Sequence, residues 1–160
     1  MALVGNTGMM RQRRSALRAA EAVLLGSLLL GLLAAPVFAQ GPVEVDLMVS
    51  LISEAPGKVD PRARALDEKL RARIRYESIE VLQTKHLSLG LDDVGTVKLP
   101  GGRLIHVKPL LVDDRGALLA VDWEGQIDTQ LRVKSEHLVV LGPQRYDGKS
   151  QLVVSLVPRF

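Results

Sequence analysis

The sequence predicts a mainly β fold, a single antiparallel β-sandwich of about eight strands with one helix after the first strand. Three observations carry this prediction. Short runs of Val, Leu and Ile alternate with polar residues, the period-2 pattern of strands with one buried face. Turn-forming residues separate the runs at spacings of about 8 to 14 residues, which suits a sandwich or barrel better than alternating β and α units. One segment alone, residues 61–75, changes to a helical period.

The first run places Val43, Val45, Leu47, Val49 and Leu51 on one face, with Glu44, Asp46, Met48 and Ser50 between them. Ala55-Pro56-Gly57-Lys58 then leads into the helix. Asp60 reads as its N-cap, and Pro61 occupies the first turn, where its missing N–H costs nothing. Ala63, Leu66, Leu70 and Ile74 form a narrow apolar stripe, so a helix is expected from Pro61 to Arg75, packed on a sheet or closing one end of the sandwich. Residues 79–91, 94–99, 104–112, 117–124 and 127–134 read as the next five strands. In the first of these, Ile79, Val81, Leu87, Leu89 and Leu91 share one phase, which puts His86 on the opposite, polar face. Residues 138–141 and 152–157 are nearly continuous apolar runs or alternate in the opposite phase, and complete the set.

The connections carry the right chemistry. Leu91-Asp92-Asp93, Pro100-Gly101-Gly102 and Asp113-Asp114-Arg115-Gly116 read as reversals, and Glu124-Gly125 as a two-residue hairpin turn. Gly142-Pro143 and Tyr146-Asp147-Gly148 bracket the last connection.

Ahead of this domain, residues 1–39 have the form of a secretory signal peptide. Arg11, Arg13, Arg14 and Arg18 supply a basic start, and residues 24–35 an apolar core. Pro36 breaks the helix, and Val37-Phe38-Ala39 presents the residues a signal peptidase reads, with Gln40 as the new N-terminus. The core spans roughly 12 to 16 residues, short of the ~20 a membrane span needs. Arg13-Arg14 loosely resembles a twin-arginine signal, but no cofactor site calls for export of a prefolded protein, so the general route is preferred. The expected location is exported, periplasmic or extracellular, with no integral span after cleavage.

Charge narrows the function classes. The chain has 21 basic and 18 acidic residues, and the first 39 positions hold four arginines and one glutamate. Residues 40–160 are therefore net neutral, and the basic balance of the whole chain is no argument for nucleic-acid binding. Cysteine is absent, which excludes disulfides, thiol catalysis and thiolate metal sites. Aromatics make up 3% of residues, so the core must be aliphatic.

The candidate binding residues are Arg64, Arg71 and Arg75, which project opposite the apolar stripe of the predicted helix. A small basic face there would meet lipid headgroups, anionic glycans or an acidic protein surface. Asp67 and Arg71, and Arg64 and Glu68, are also spaced to pair along the helix.

No catalytic or metal signature accompanies this face. Asp92-Asp93 and Asp113-Asp114 lack the alternating spacing of a calcium loop and read as turns. His86, His106 and His137 have no ligand spacing. Ser50, Ser53, Ser88, Ser135, Ser150 and Ser155 sit in no Gly-x-Ser-x-Gly elbow. Pro100-Gly101-Gly102-Arg103 is too short for a phosphate loop and reads as a hairpin turn. Trp123 shares its phase with Ala117, Leu119 and Val121 and reads as core. Tyr146, in Arg145-Tyr146-Asp147-Gly148, reads as a capping aromatic or part of a binding loop.

Gly57, Asp60 and Pro61 at the helix start, the Leu-Pro-Gly-Gly turn at 99–102, and Gly142, Pro143, Tyr146, Asp147 and Gly148 before the last strand form an ordered set. In these turn and cap motifs the chain resembles small exported bacterial proteins of unassigned function, over roughly residues 43–157. The resemblance implies a fold and no activity, cofactor or catalytic residue.

Together these readings lead to an expectation: an exported, non-enzymatic β-sandwich acting as a binding or assembly module of the bacterial cell envelope. It would need no cofactor, and its partner would be an envelope protein or an anionic envelope surface, met at a sheet edge or at the basic helix face. The alternatives are a hydrolase of envelope polymers, whose site would form only in three dimensions, and a small barrel holding a lipid or other ligand.

Overall fold

The computed structural model describes residues 41–160, and the signal segment read at residues 1–39 lies outside them. The elements are β1 (Val43–Ser53), a 3-10 turn (Pro61–Ala63), α1 (Arg64–Arg71), β2 (Ser78–Leu89), β3 (Gly95–Lys98), β4 (Leu104–Asp113), β5 (Gly116–Trp123), β6 (Ile127–Val133), β7 (Val139–Arg145) and β8 (Ser150–Arg159). They form two four-stranded sheets, ordered β2-β1-β8-β7 and β3-β4-β5-β6, and every ladder is antiparallel. Only the β2–β3 and β6–β7 connections pass from one sheet to the other, and β8 returns along β1 from Glu44↔Arg159 to Ser53↔Ser150. The architecture is a sandwich.

The main core lies between the sheets. Val43, Val45, Leu47 and Val49 of β1 meet Ile105, Val107, Leu119, Val121 and Trp123 of the second sheet, and Leu152, Val154 and Leu156 of β8 complete the layer. A second, smaller core lies on the outer face of the first sheet. There Ala63, Leu66 and Leu70 of the helical segment pack on Ile52, Ile79, Val81 and Val153. Strand β8 therefore has apolar partners on both faces, which is why its sequence reads as a nearly continuous run.

This second core corrects the single phase read for the second strand. Ile79 and Val81 belong to the core under the helix, whereas Leu89, with Leu87 against it, belongs to the core between the sheets. The switch occurs where Val49 pairs with Gln83 and the next residue, Ser50, pairs with Val81, leaving Leu82 as an extra residue. One inserted residue exchanges the faces of everything beyond it. Leu91, read in the same phase, lies beyond the strand and is 46% exposed.

Three further expectations change. The helix ends at Arg71 and not at Arg75: the N–H groups of Arg73 and Ile74 both donate to Leu70 O, and the chain then turns toward β2. Gly142-Pro143 does not end the seventh strand. β7 continues to Arg145 across a cis Gly142–Pro143 bond and an irregularity in register between Leu141 and Gln144. β7 is an edge strand, where proline's lack of an N–H removes no ladder bond. Leu91-Asp92-Asp93 carries the chain between sheets and does not form a hairpin, with Asp92 at φ 67° and its N–H on Pro109 O at 2.8 Å.

The predicted cap is present. Asp60 Oδ1 accepts the Arg62 N–H at 2.9 Å with Pro61 in the first turn, and the Asp60 N–H donates to Ile79 O at 2.9 Å. This last bond fixes the start of the helical segment to β2, so α1 lies over the outer face of the first sheet.

Candidate functional site

The three arginines expected to form a basic face are placed on α1 and just beyond it. Arg64 is on α1, 3.7 Å from Glu68. Arg71 Nε donates to both Asp67 carboxylate oxygens at 2.9 Å, and its Cζ lies 5.9 Å from the Tyr76 ring centroid. Those bonds from Arg71 hold the Asp67 carboxyl below its ordinary range, and a further bond from the Tyr76 hydroxyl at 2.7 Å adds to the effect. Arg75 lies past the end of the helix and is exposed. Two of the three charges are thus answered by carboxylates on the same helix, and the third is off it.

Concavity lies on either flank of α1 instead. On one side a groove of about 570 Å³ runs between the helix and strands β2, β1 and β8. Met48, Ala65, Leu66, Leu138 and Val157 supply apolar lining, while Arg62, Lys85, Asp46 and His86 supply charge of both signs. On the other side a groove of about 440 Å³ is bordered by Leu70, Ile74, Val140 and Pro143. Leu138 borders both grooves, and its carbonyl accepts from Lys69 Nζ. Mostly apolar lining with a few convergent polar groups is the usual form of a binding site.

A chain of polar contacts crosses the sheet at the open end of the larger groove. His86 Nδ1 is 2.7 Å from Asp46 Oδ1, and its Nε2 is 2.7 Å from Glu44 Oε2 without hydrogen-bond alignment. Ser88 Oγ donates to Glu44 Oε1 at 2.6 Å, and Arg159 Nη2 pairs with Asp46 Oδ2. Register explains the assembly: Asp46 pairs with His86 on β2, Glu44 with Ser88 on β2 and with Arg159 on β8. A serine nucleophile needs a basic nitrogen facing its hydroxyl. Both His86 nitrogens face carboxylates, and Ser88 is bound to Glu44.

On the second sheet, Thr96 Oγ1 lies 2.9 Å from His106 Nδ1, but Glu124 Oε1 is 4.0 Å from Nε2, beyond hydrogen-bond range. That histidine therefore lacks a third group to orient it. Among the described residues no serine hydroxyl hydrogen-bonds a histidine, and no group of three His, Asp or Glu side chains is placed to hold a metal ion. No described helix is long and apolar enough to cross a membrane.

Sequence reasoning missed Asp46, Arg62, Lys85 and Leu138 as neighbours, since the sheet, not their spacing, brings them together. One signal was available: Met48 and Ile52 are apolar in the phase that the first strand was expected to turn to solvent. Comparison of the chain with protein-family models, curated proteins and solved structures finds no match.

Proposed function

We propose that this chain is an exported, non-enzymatic binding or assembly module of the bacterial cell envelope. Its partner is an envelope protein that inserts an apolar side chain into the larger groove beside α1. The observation that carries this reading is the groove itself, with Met48, Leu66 and Leu138 in its lining and both signs of charge at its rim. A rim carrying Arg62 and Lys85 beside Asp46 suits a protein surface better than a uniformly anionic one. The pairing of Arg64 and Arg71 within α1 supports the same preference.

The non-enzymatic part rests on the three histidines: among the described residues none faces a hydroxyl while held by a third group. Against a ligand-holding barrel stands the space between the sheets, filled by Trp123, Leu119, Leu47, Leu156 and their neighbours.

Co-sedimentation of the purified chain with envelope fractions at low and high salt tests the proposal. Binding should persist at high salt and in Arg64→Ala and Arg71→Ala, and fall at least about tenfold when Ala65→Trp fills the groove. Binding abolished by salt and by the arginine replacements, yet indifferent to Ala65→Trp, would transfer function to the helix surface. Export is checked separately, by the mass of the chain recovered from a bacterial envelope: processing should leave Gln40 at its start.

A further inference from the structure

Two segments that read as simple turns meet at one end of the sandwich. Pro100 and Gly101 of the β3–β4 turn, Arg103, Trp123 at the end of β5, and Arg145 and Tyr146 at the end of β7 border a pocket of about 130 Å³. Gly101 has φ +86°, and a Cβ there would lie 4.0 Å from Tyr146 Cε2, so the turn closes against the phenol ring.

Two guanidinium groups at this pocket have no acceptor among the described residues. Arg103 and Arg145 are exposed, and neither side chain forms a hydrogen bond or ion pair. Trp123 is 1% exposed and walls the pocket, its Nε1–H being closed off from solvent. The neighbouring carboxylates are committed elsewhere: Glu124 Oε2 accepts the Leu104 N–H at 2.9 Å, and Asp147 Oδ1 accepts the Lys149 and Ser150 N–H groups at 2.8 and 2.6 Å.

We infer that this pocket binds a phosphate group. Two unpaired guanidinium forks, from two separate segments, match a tetrahedral oxyanion with several acceptor oxygens. The volume admits one such group with little attached to it. A soluble phosphate monoester and the headgroup of a phospholipid share this chemistry. The site is separate from the grooves beside α1 and does not depend on the function proposed for them.

Trp123 is the sole tryptophan, so its fluorescence reads the pocket directly. The chain is titrated at constant ionic strength with inorganic phosphate, glycerol phosphate, and phosphatidylcholine vesicles with or without phosphatidic acid. A saturable change in emission is expected, weakened at least about tenfold by Arg103→Ala and by Arg145→Ala, each with unchanged circular dichroism. A response to the phosphatidic acid vesicles that free phosphate competes away identifies a lipid headgroup. A response to the two soluble probes alone identifies a soluble phosphate. No saturable change with any probe, or a change that survives both arginine replacements, overturns the inference.

Discussion

Asp60 and Arg62 form a two-point clasp: Arg62 Nη2 lies 2.6 Å from Asp60 Oδ2, while the Arg62 N–H donates to Asp60 Oδ1. The same guanidinium donates to Val81 O at 3.3 Å, so one ion pair joins the helix cap to β2. These bonds from Arg62, side chain first and backbone second, pull the Asp60 carboxyl from 3.8 down to about 2. A carboxyl depressed on folding stabilises the fold above its unfolded value and loses that contribution as pH falls through the folded one. Stability should therefore drop between about pH 4 and pH 2 in a part that Asp60→Asn removes, since asparagine still caps but does not titrate. Urea midpoints of both proteins from pH 2 to 6 check this: the gap between them should be widest at pH 6 and close near pH 2.

Leu82 is the extra residue between the two halves of β2. Deleting it makes Val49↔Gln83 and Ser50↔Val81 consecutive pairs of a regular ladder, so Ile79 and Val81 keep the face under the helix and Leu87 and Leu89 keep the face between the sheets. The deletion should therefore stay within about 1 kcal/mol of the parent chain. Leu82→Ala, at a residue 38% exposed, should change stability by no more than about 0.5 kcal/mol. Urea unfolding of both variants checks this: a loss of about 3 to 6 kcal/mol in the deletion, the cost of exposing two buried aliphatic side chains, would mean that the strand pairs one residue out of register.

Strand positions were legible because alternation survives wherever one face is solvated, as in Ala117, Leu119, Val121 and Trp123. The 101, 116 and 125 glycine turns were legible for an equally local reason, since each needs a positive φ, and so was the Asp60-Pro61 cap, where a side-chain acceptor precedes a proline in the first turn. The bulge was not, because Leu82 is an ordinary strand residue and its extra place exists only against Val49 and Ser50. The grooves were hidden for a related reason. His86 meets Asp46 across 40 positions, and Arg145 and Arg103, 42 positions apart, border one pocket, distances that only sheet register and sheet stacking set.

Gly116 and Gly148 are both turn glycines in sequence, but their surroundings differ. Gly116 has φ +122°, and a Cβ there would lie 2.3 Å from Val133 O, which is backbone and cannot swing away. Gly148 has nothing within 4 Å of a Cβ and no positive φ. Gly116→Ala should cost more than about 2 kcal/mol through strain and displacement of β6. Gly148→Ala should stay within about 0.5 kcal/mol. Thermal unfolding of the pair checks this, and equal shifts would mean that the β5–β6 ladder yields more easily than its geometry implies.

Ser50 is fully buried where β1 and β2 change register, opposite Val81 and Val153, and its hydroxyl has no partner in the protein. A hydroxyl moved from water to such a place loses hydrogen bonds it does not regain, a penalty of about 1 to 3 kcal/mol. Ser155, opposite Met48 on β8, is also buried but reaches Met48 O at 3.5 Å. Ser50→Ala removes one atom and leaves the strand geometry intact, so it should raise stability by about 1 kcal/mol, part of the gain being offset by lost packing. Ser155→Ala should gain less, because its hydroxyl is partly answered. Urea midpoints of the two variants test the order as well as the sign. A loss at Ser50 would mean that its hydroxyl is satisfied in solution, making this position a fixed polar point under the helix.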